Sequence, residues 1–131
     1  PSPRAKALVG GSTGLAPLVS MLRDVAETGV DGGPYHLFFG MQDPASMFFE
    51  AELRALALTM PNLPVHLALI HAPDGWARFT GNSVAAFAAY FAGSAEKPGV
   101  YLCGPGPMVD AALAACHRLA IPEAQIYREE F

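Results

Sequence analysis

The feature that most restricts the fold of this chain is its alternation of short apolar runs with segments rich in Ala and Leu. Five β-like runs alternate with four helix-like segments, and this order is typical of a parallel sheet covered on both faces. We therefore expect an α/β fold, a three-layer α/β/α sandwich with a five-stranded parallel sheet, in which residues 1–131 form one domain. The predicted strands are Ala7–Val9, Tyr35–Phe39, Val65–Ile70, Val100–Cys103 and Gln125–Arg128, and the predicted helices are Leu15–Ala26, Pro44–Leu58, Val84–Phe91 and Pro107–Leu119.

Two glycine-rich turns each end an apolar run and open a helical pattern. The first is Gly10-Gly11-Ser12-Thr13-Gly14-Leu15-Ala16-Pro17, and the second is Cys103-Gly104-Pro105-Gly106-Pro107-Met108. Glycine lets backbone N–H groups approach a pyrophosphate at a helix N-terminus, and an open α/β sheet receives a dinucleotide at the carboxyl ends of its strands. The two turns therefore predict a nicotinamide-nucleotide site.

The first turn has residue types suited to an anion. Gly11 and Gly14 can adopt backbone angles closed to other residues, and Pro17 gives up a donor that a first helical turn does not use. The hydroxyls of Ser12 and Thr13 can bond to phosphate, ribose or the nicotinamide amide. No Gly-Lys-Ser/Thr follows, which excludes an ATPase P-loop. A tight strand-to-helix turn without a ligand is the open alternative.

Composition excludes several function classes. The net charge is −4 with no basic run, which argues against nucleic-acid binding, and no apolar stretch reaches the roughly 18 residues of a membrane span. The N-terminal residues lack the apolar core of a signal peptide, so a soluble, cytoplasmic protein is expected. Two cysteines and four histidines without ligand spacing predict no disulfide framework, iron–sulfur cluster or metal site.

The second turn resembles the Cys-Gly-Pro-Pro-x-Met signature of the ferredoxin–NADP reductase superfamily, with Gly106 in the place of the second proline. The first turn resembles its Gly-Gly-x-x-Gly-x-x-Pro pyrophosphate turn. Further likeness to the bacterial oxygenase reductases of this superfamily covers nearly the whole chain in order, at Phe38–Gly40, Met47–Leu53, Trp76–Val84 and Ile126–Phe131.

The resemblance implies that this chain is the NAD(P)-binding domain of a flavin reductase. NADH would pass a hydride to FAD, which is bound mainly by a barrel domain outside this chain, for delivery to an iron–sulfur electron acceptor or an oxygenase component. That FAD-binding domain is the expected partner. A docking face for it would also account for the charged share of 15%, against a usual share of about 25%.

The resemblance also implies roles for single residues. Cys103 lies beside the nicotinamide, Gly104, Pro105 and Met108 complete its turn, and Phe131 covers the flavin ring where nicotinamide must enter. A buried strand-end cysteine and an aromatic that closes an edge strand are the structural alternatives. Apart from the resemblance, Cys116 on the fourth predicted helix is expected in the core, and Trp76 is expected to pack in its loop, with packing under adenine as the alternative.

Nucleotide preference is predicted from charge at the end of the second strand. Gly40, Met41 and Gln42 are cofactor-binding candidates there, and the segment continues to Asp43 without a cation for a 2′-phosphate. NADH is therefore favoured over NADPH, unless Arg78 reaches the adenosine side.

Two other functions compete with this one. A docking or regulatory module could keep the fold with a disused nucleotide site, although such a module has no physical need for Gly11, Gly14, Cys103 and Gly104. A cysteine hydrolase would use Cys103 as its nucleophile, but no His, Lys or Arg flanks this residue in the sequence to activate it.

Overall fold

The computed structural model describes residues 5–11, 15–28, 35–41, 55, 58, 64–76 and 78–130. Within these ranges, strands and helices alternate as the sequence predicts, and the α/β class is confirmed. The strands are β1 (Lys6–Gly10), β2 (Tyr35–Met41), β3 (Val65–Leu69), β4 (Phe79–Thr80), β5 (Gly99–Gly104) and β6 (Ile126–Glu130). The α-helices are α1 (Leu15–Thr28), α2 (Ser83–Phe91) and α3 (Gly106–Arg118), and a 3-10 turn spans Glu123–Gln125.

All strand pairs are parallel, and the sheet order is β4-β3-β2-β1-β5-β6. The chain builds outward from β1 on one side through β2 and β3, then returns to place β5 on the other side of β1. The boundary between β1 and β5 is therefore the point where the winding direction reverses, and ligands of open α/β sheets bind at such a point.

The predicted count of five strands is wrong, because the described residues contain six. The additional strand, β4, has only two residues, and the polar segment around it predicts a loop. Backbone pairing with Leu69 holds it at the sheet edge, since the Gly81 N–H donates to the Leu69 carbonyl at 2.7 Å. The indole Nε1 of Trp76 donates to the Phe79 carbonyl at 2.9 Å, so Trp76 packs in its loop.

The sheet separates two apolar layers, as expected for a sandwich. On one face, Leu18, Val19 and Leu22 of α1 pack with Leu8 and its neighbours. On the other face, α2 and α3 cover Ala7, Val9 and Phe38, with the fully buried Cys116 in the same layer. Successive residues of β1 alternate between the two layers, so the strand is apolar on both sides, as a covered parallel strand must be.

The helix predicted over Pro44–Leu58 lies outside the described residues except at Ala55 and Leu58, which are both helical. The described α2 begins one residue before its predicted start, α3 begins and ends one residue earlier than predicted, and α1 extends two residues beyond its predicted end. No helix in the described ranges is long and apolar enough to cross a membrane.

Candidate functional site

The first residues of the two glycine turns lie side by side at the carboxyl edge of the sheet. β1 and β5 are paired so that Gly10 stands opposite Cys103, the last residue before Gly104. Gly11 follows β1 directly, and Gly104 ends β5. Sequence positions more than 90 residues apart therefore meet at the point where the sheet reverses direction, as the parallel topology requires.

A cleft of about 390 Å³ opens at this edge. The ends of β1, β2 and β3 contribute Gly11, Gly40, Met41 and Ile70, while the starts of α2 and α3 contribute the other lining residues: Asn82, Ser83, Val84, Pro105, Pro107, Met108 and Ala111. Helix N-termini carry partial positive charge, so two of them at one cleft favour an anionic group there.

Met108 packs against both glycine turns. A Cβ added to Gly104 would lie 2.6 Å from the Met108 Sδ, and one added to Gly11 would lie 3.8 Å from it. Gly104 thus provides the space that the thioether occupies, which places this flexible apolar side chain along the cleft. The local cause is the start of α3, where the Pro105 carbonyl accepts the N–H groups of Met108 and Val109.

Gly40 is required by a close approach between β2 and α2. A Cβ at this position would lie 2.7 Å from the backbone N of Ser83, and a backbone atom cannot swing away. The start of α2 is fixed in turn by Asn82, whose Oδ1 accepts the Ala85 N–H at 2.7 Å. This capped helix end therefore sits directly on the end of β2.

The sequence prediction missed Asn82, Ser83 and Ile70 as cleft residues. Asn82 before an apolar run is a recognisable N-cap signal, but its place in the cleft depends on the contact with Gly40, which is a tertiary feature. Ile70 ends the predicted third strand, and its 42% exposure shows that it borders the opening rather than the core.

Cys103 does not line this cleft. Its side chain belongs to the α1 face of the sheet, beside a second cavity of about 440 Å³ that it shares with Met21, Tyr101, Tyr127 and Glu129. Burial, and then the carboxylate of Glu129, raise the pKa of the Cys103 thiol. A thiol with a raised pKa is a poor nucleophile at neutral pH, so the structure gives the hydrolase alternative no support.

Of the remaining candidates, Pro17 alone lies within the described residues. Pro17 lies in the first turn of α1 and is partly buried. Ser12, Thr13, Gly14, Gln42 and Phe131 lie outside the described residues.

The described residues fit a dinucleotide. The backbone at Gly11 is accessible from the cleft, two helices begin there, and its apolar borders suit a flat ring. A Cβ at Gly11 would extend toward Met108 and occupy cleft space that an approaching phosphate needs.

Comparison with known families agrees with this geometry. A family model described as the oxidoreductase NAD-binding domain matches residues 8–114. The chain belongs to this family. The matched residues of the NAD-binding domain include both glycine turns and the starts of all three described helices.

Curated relatives are reductase components of oxygenase systems. The reductase component of the naphthalene 1,2-dioxygenase/salicylate 5-hydroxylase systems of Ralstonia sp. is 35% identical over 123 residues, which cover 94% of this chain and 37% of that protein. The propane 2-monooxygenase reductase component of Gordonia sp. (strain TY-5) is 32% identical over 127 residues, covering 94% and 36%. The chain thus spans little more than a third of these relatives.

Solved structures have the same fold. A cytochrome P450 reductase from Amycolatopsis superimposes with a TM-score of 0.82 at 29% identity, over 98% of this chain and 38% of that one. The ferredoxin reductase in carbazole 1,9a-dioxygenase has a TM-score of 0.82 at 24% identity, with the same two coverages of 98% and 38%. The predicted resemblance to the ferredoxin reductase superfamily is confirmed.

Proposed function

We propose that this NAD-binding domain holds NADH in the cleft between the two glycine turns and positions its nicotinamide for hydride transfer to FAD. The observation that carries the proposal is that Gly11 and the N-termini of α2 and α3 line one cleft at the carboxyl edge of the sheet, beside the paired ends of β1 and β5. Backbone donors and helix dipoles can stabilise a pyrophosphate there without a basic side chain.

The nucleotide, when bound, supplies the hydride, and the protein supplies distance and orientation. Gly11 lets the ligand approach the backbone, while Gly104 leaves room for Met108, which limits how far the ligand can shift along the cleft. Gly14, Ser12 and Thr13 extend the phosphate contacts from the first turn. Gly40, Met41 and Ile70 line the part of the cleft proposed for the adenosine half, and Gln42, the next residue of the chain after Met41, stays a cofactor-binding candidate.

Cys103 and Phe131 are proposed to act at the nicotinamide end. Cys103 lies one residue before the end of β5 and lines the neighbouring cavity on the α1 face, where its thiol offers a small polarizable surface for a ring to approach. Phe131 follows Glu130, which is paired with Gly104. An aromatic at that position in the chain is suited to shield the flavin until nicotinamide takes its place.

The cleft favours NADH over NADPH. Among the described residues that line it there is no Lys or Arg, whereas a 2′-phosphate is bound most strongly by such cations. Arg78, the cation that could have changed this preference, lines a different cavity.

The reductase role extends to partners outside this chain. Relatives named as reductase components of dioxygenases and monooxygenases are about three times as long as the matched region. We infer that the FAD-binding part of this reductase docks on the domain and passes electrons to an iron–sulfur protein or an oxygenase.

Calorimetric titration with NADH and NADPH tests nucleotide binding, with Gly11→Ala compared to Gly99→Ala. A Cβ at either glycine makes only ordinary contacts, 3.8 Å from Met108 Sδ and 3.7 Å from Lys6 Cγ respectively, but the two lie at opposite ends of the sheet. Gly11→Ala should weaken NADH binding by about tenfold or more because the phosphate loses its close approach.

The matched variant Gly99→Ala should bind NADH as the parent chain does. Equal affinity in both variants would contradict the assigned cleft. If NADH binds neither alone nor in the presence of the FAD-binding part of the reductase, the docking-module alternative is favoured instead. A preference for NADPH would contradict the charge argument without affecting the cleft itself.

A further inference from the structure

A third cavity, of about 410 Å³, lies between α2 and the β3–β4 edge of the sheet. Its apolar lining includes Phe79, Ala86 and Ala89, and its polar lining includes His66, Arg78 and Tyr90. It shares no lining residue with the nucleotide cleft. Neither glycine turn contributes to it, and the proposed hydride transfer does not use it.

Arg78 is the cationic residue of this cavity, and it has no anionic partner within the part of the chain that the structure describes. Arg78 is exposed there, whereas Arg128 forms an ion pair with Glu123. The charge of Arg78 nevertheless acts on the cavity, because the pKa of His66 is lowered by burial, by His36 and then by Arg78. An anion bound at this cavity would be attracted by the positive charge of Arg78.

Aromatic rings form one side of the same cavity. The ring of Tyr90 is half exposed and lies 4.8 Å from that of His66 at an angle of 60°. His66 is itself held in place by a stack on Phe38, with centroids 4.3 Å apart and planes 9° from parallel. A flat apolar ligand would therefore meet a preformed ring surface.

We propose that this cavity binds a small aromatic carboxylate. The guanidinium of Arg78 pairs with the carboxylate, since its planar donors match two carboxylate oxygens. The aromatic body lies against Phe79 and the alanines of α2, with Tyr90 at its edge. This ligand class combines the two features that the lining offers, a single cation and an apolar ring-sized space.

Benzoate serves as the probe, with amide shifts of the ¹⁵N-labelled chain as the readout. Saturable shifts are expected to be largest at residues 65–67, 78–79 and 86–90. Benzamide tests the carboxylate and acetate tests the ring, so each should bind at least about tenfold more weakly than benzoate. Arg78→Gln should weaken benzoate binding by a similar factor, while Arg23→Gln, an exposed arginine on α1, should leave it unchanged.

Several results would overturn the proposal: unsaturable shifts, equal binding by Arg78→Gln, or equal binding by benzamide. Shifts centred on Gly11, Gly40 and Met108, and abolished by NADH, would place benzoate in the nucleotide cleft and would also overturn it. If Arg78→Gln does not fold, Tyr90→Leu provides the second variant, and it too should weaken binding. NADH titration reports on the cleft separately, so failure at either site is recognised independently.

Discussion

The nucleotide cleft and the ring cluster beneath α2 are built in opposite ways. The lining of the cleft includes two glycines, two prolines and two methionines, so part of its space exists because the glycines carry no side chain. The ring cluster consists of interlocked aromatic side chains, defined here as His36, Phe38, His66, Phe87, Tyr90 and Phe91.

This difference separates the residues that mainly stabilise the domain from the residues that allow it to bind a ligand. In the ring cluster, Phe38 and Phe87 are fully buried and meet edge to face at 5.8 Å and 81°, so each ring is fixed by its neighbours. In the cleft, the backbone is left accessible, which stabilises the fold less but allows a phosphate to approach. Substitutions in the two regions should therefore change different measured quantities.

The largest effect is expected from Phe87→Ala in the ring cluster. Removal of this fully buried ring leaves a cavity under α2 and should lower the free energy of unfolding by about 3–5 kcal/mol. Urea denaturation measures the loss. Phe87→Leu keeps most of the apolar volume and should cost less than about 1.5 kcal/mol. A loss below about 1 kcal/mol for Phe87→Ala would mean that this face of the sheet is not the principal core.

Gly40→Ala tests the boundary between the two regions. The new Cβ would meet the Ser83 backbone N at 2.7 Å, so the end of β2 and the start of α2 must separate, at a cost of about 1–3 kcal/mol in unfolding free energy. Urea denaturation again gives the value, with Gly99→Ala as the control because its Cβ has room. Similar stability of the two variants would show that α2 does not sit rigidly on β2.

Gly104→Ala should act on binding more than on stability. Its Cβ would displace the Met108 Sδ from 2.6 Å, and a flexible thioether can move away at little energetic cost. Because Met108 then enters the cleft, NADH affinity should fall by about tenfold, equivalent to about 1.4 kcal/mol, as measured by calorimetry.

A double variant, Met108→Ala with Gly104→Ala, distinguishes the displacement of the Met108 side chain from the direct effect of losing the glycine at position 104. Once Met108→Ala has removed the thioether, adding Gly104→Ala should cost little further affinity, so the two effects are not additive. Additive losses would mean that the Gly104 backbone itself, rather than the position of Met108, determines binding.

The sequence predicts the ring cluster and the cleft to different extents. Apolar periodicity correctly locates the strands and helices that carry Phe38 and Phe87, because burial drives both the pattern and the packing. It also predicts that the two glycine turns meet, since parallel strands end at one edge. Apolar periodicity does not predict the two-residue β4, because so short a strand has no periodicity of its own and forms only through its pairing with the end of β3 at Leu69.

The sequence pattern also does not predict which way the side chains point at the site. Gly104 belongs to the second glycine turn, beside the cleft. Cys103, one residue earlier, nevertheless directs its side chain into the apolar layer on the α1 face of the sheet. Which face a strand residue takes depends on register, here on the pairing of Gly10 with Cys103. The contact of Ser83 with Gly40 depends likewise on how α2 packs on the finished sheet.

The smallest effect is a pH dependence of stability that originates in the ring cluster alone. His36 Nδ1 and His66 Nε2 are 3.2 Å apart and share a hydrogen bond, which requires that one nitrogen be an unprotonated acceptor. Burial lowers the pKa of both rings below the ordinary value of 6.5, with Glu96 opposing the shift at His36 and with His36 and then Arg78 adding to it at His66.

A lowered histidine pKa means that the unfolded chain binds more protons than the folded one below about pH 6.5. The resulting stability is complete above that pH and should decrease as the pH falls through it. Urea denaturation between about pH 8 and pH 5 measures the slope, which the double variant His36→Gln, His66→Gln should reduce. His117→Gln, on the exposed side of α3, should retain it. An unchanged slope in the double variant would assign the pH dependence to groups outside the ring cluster.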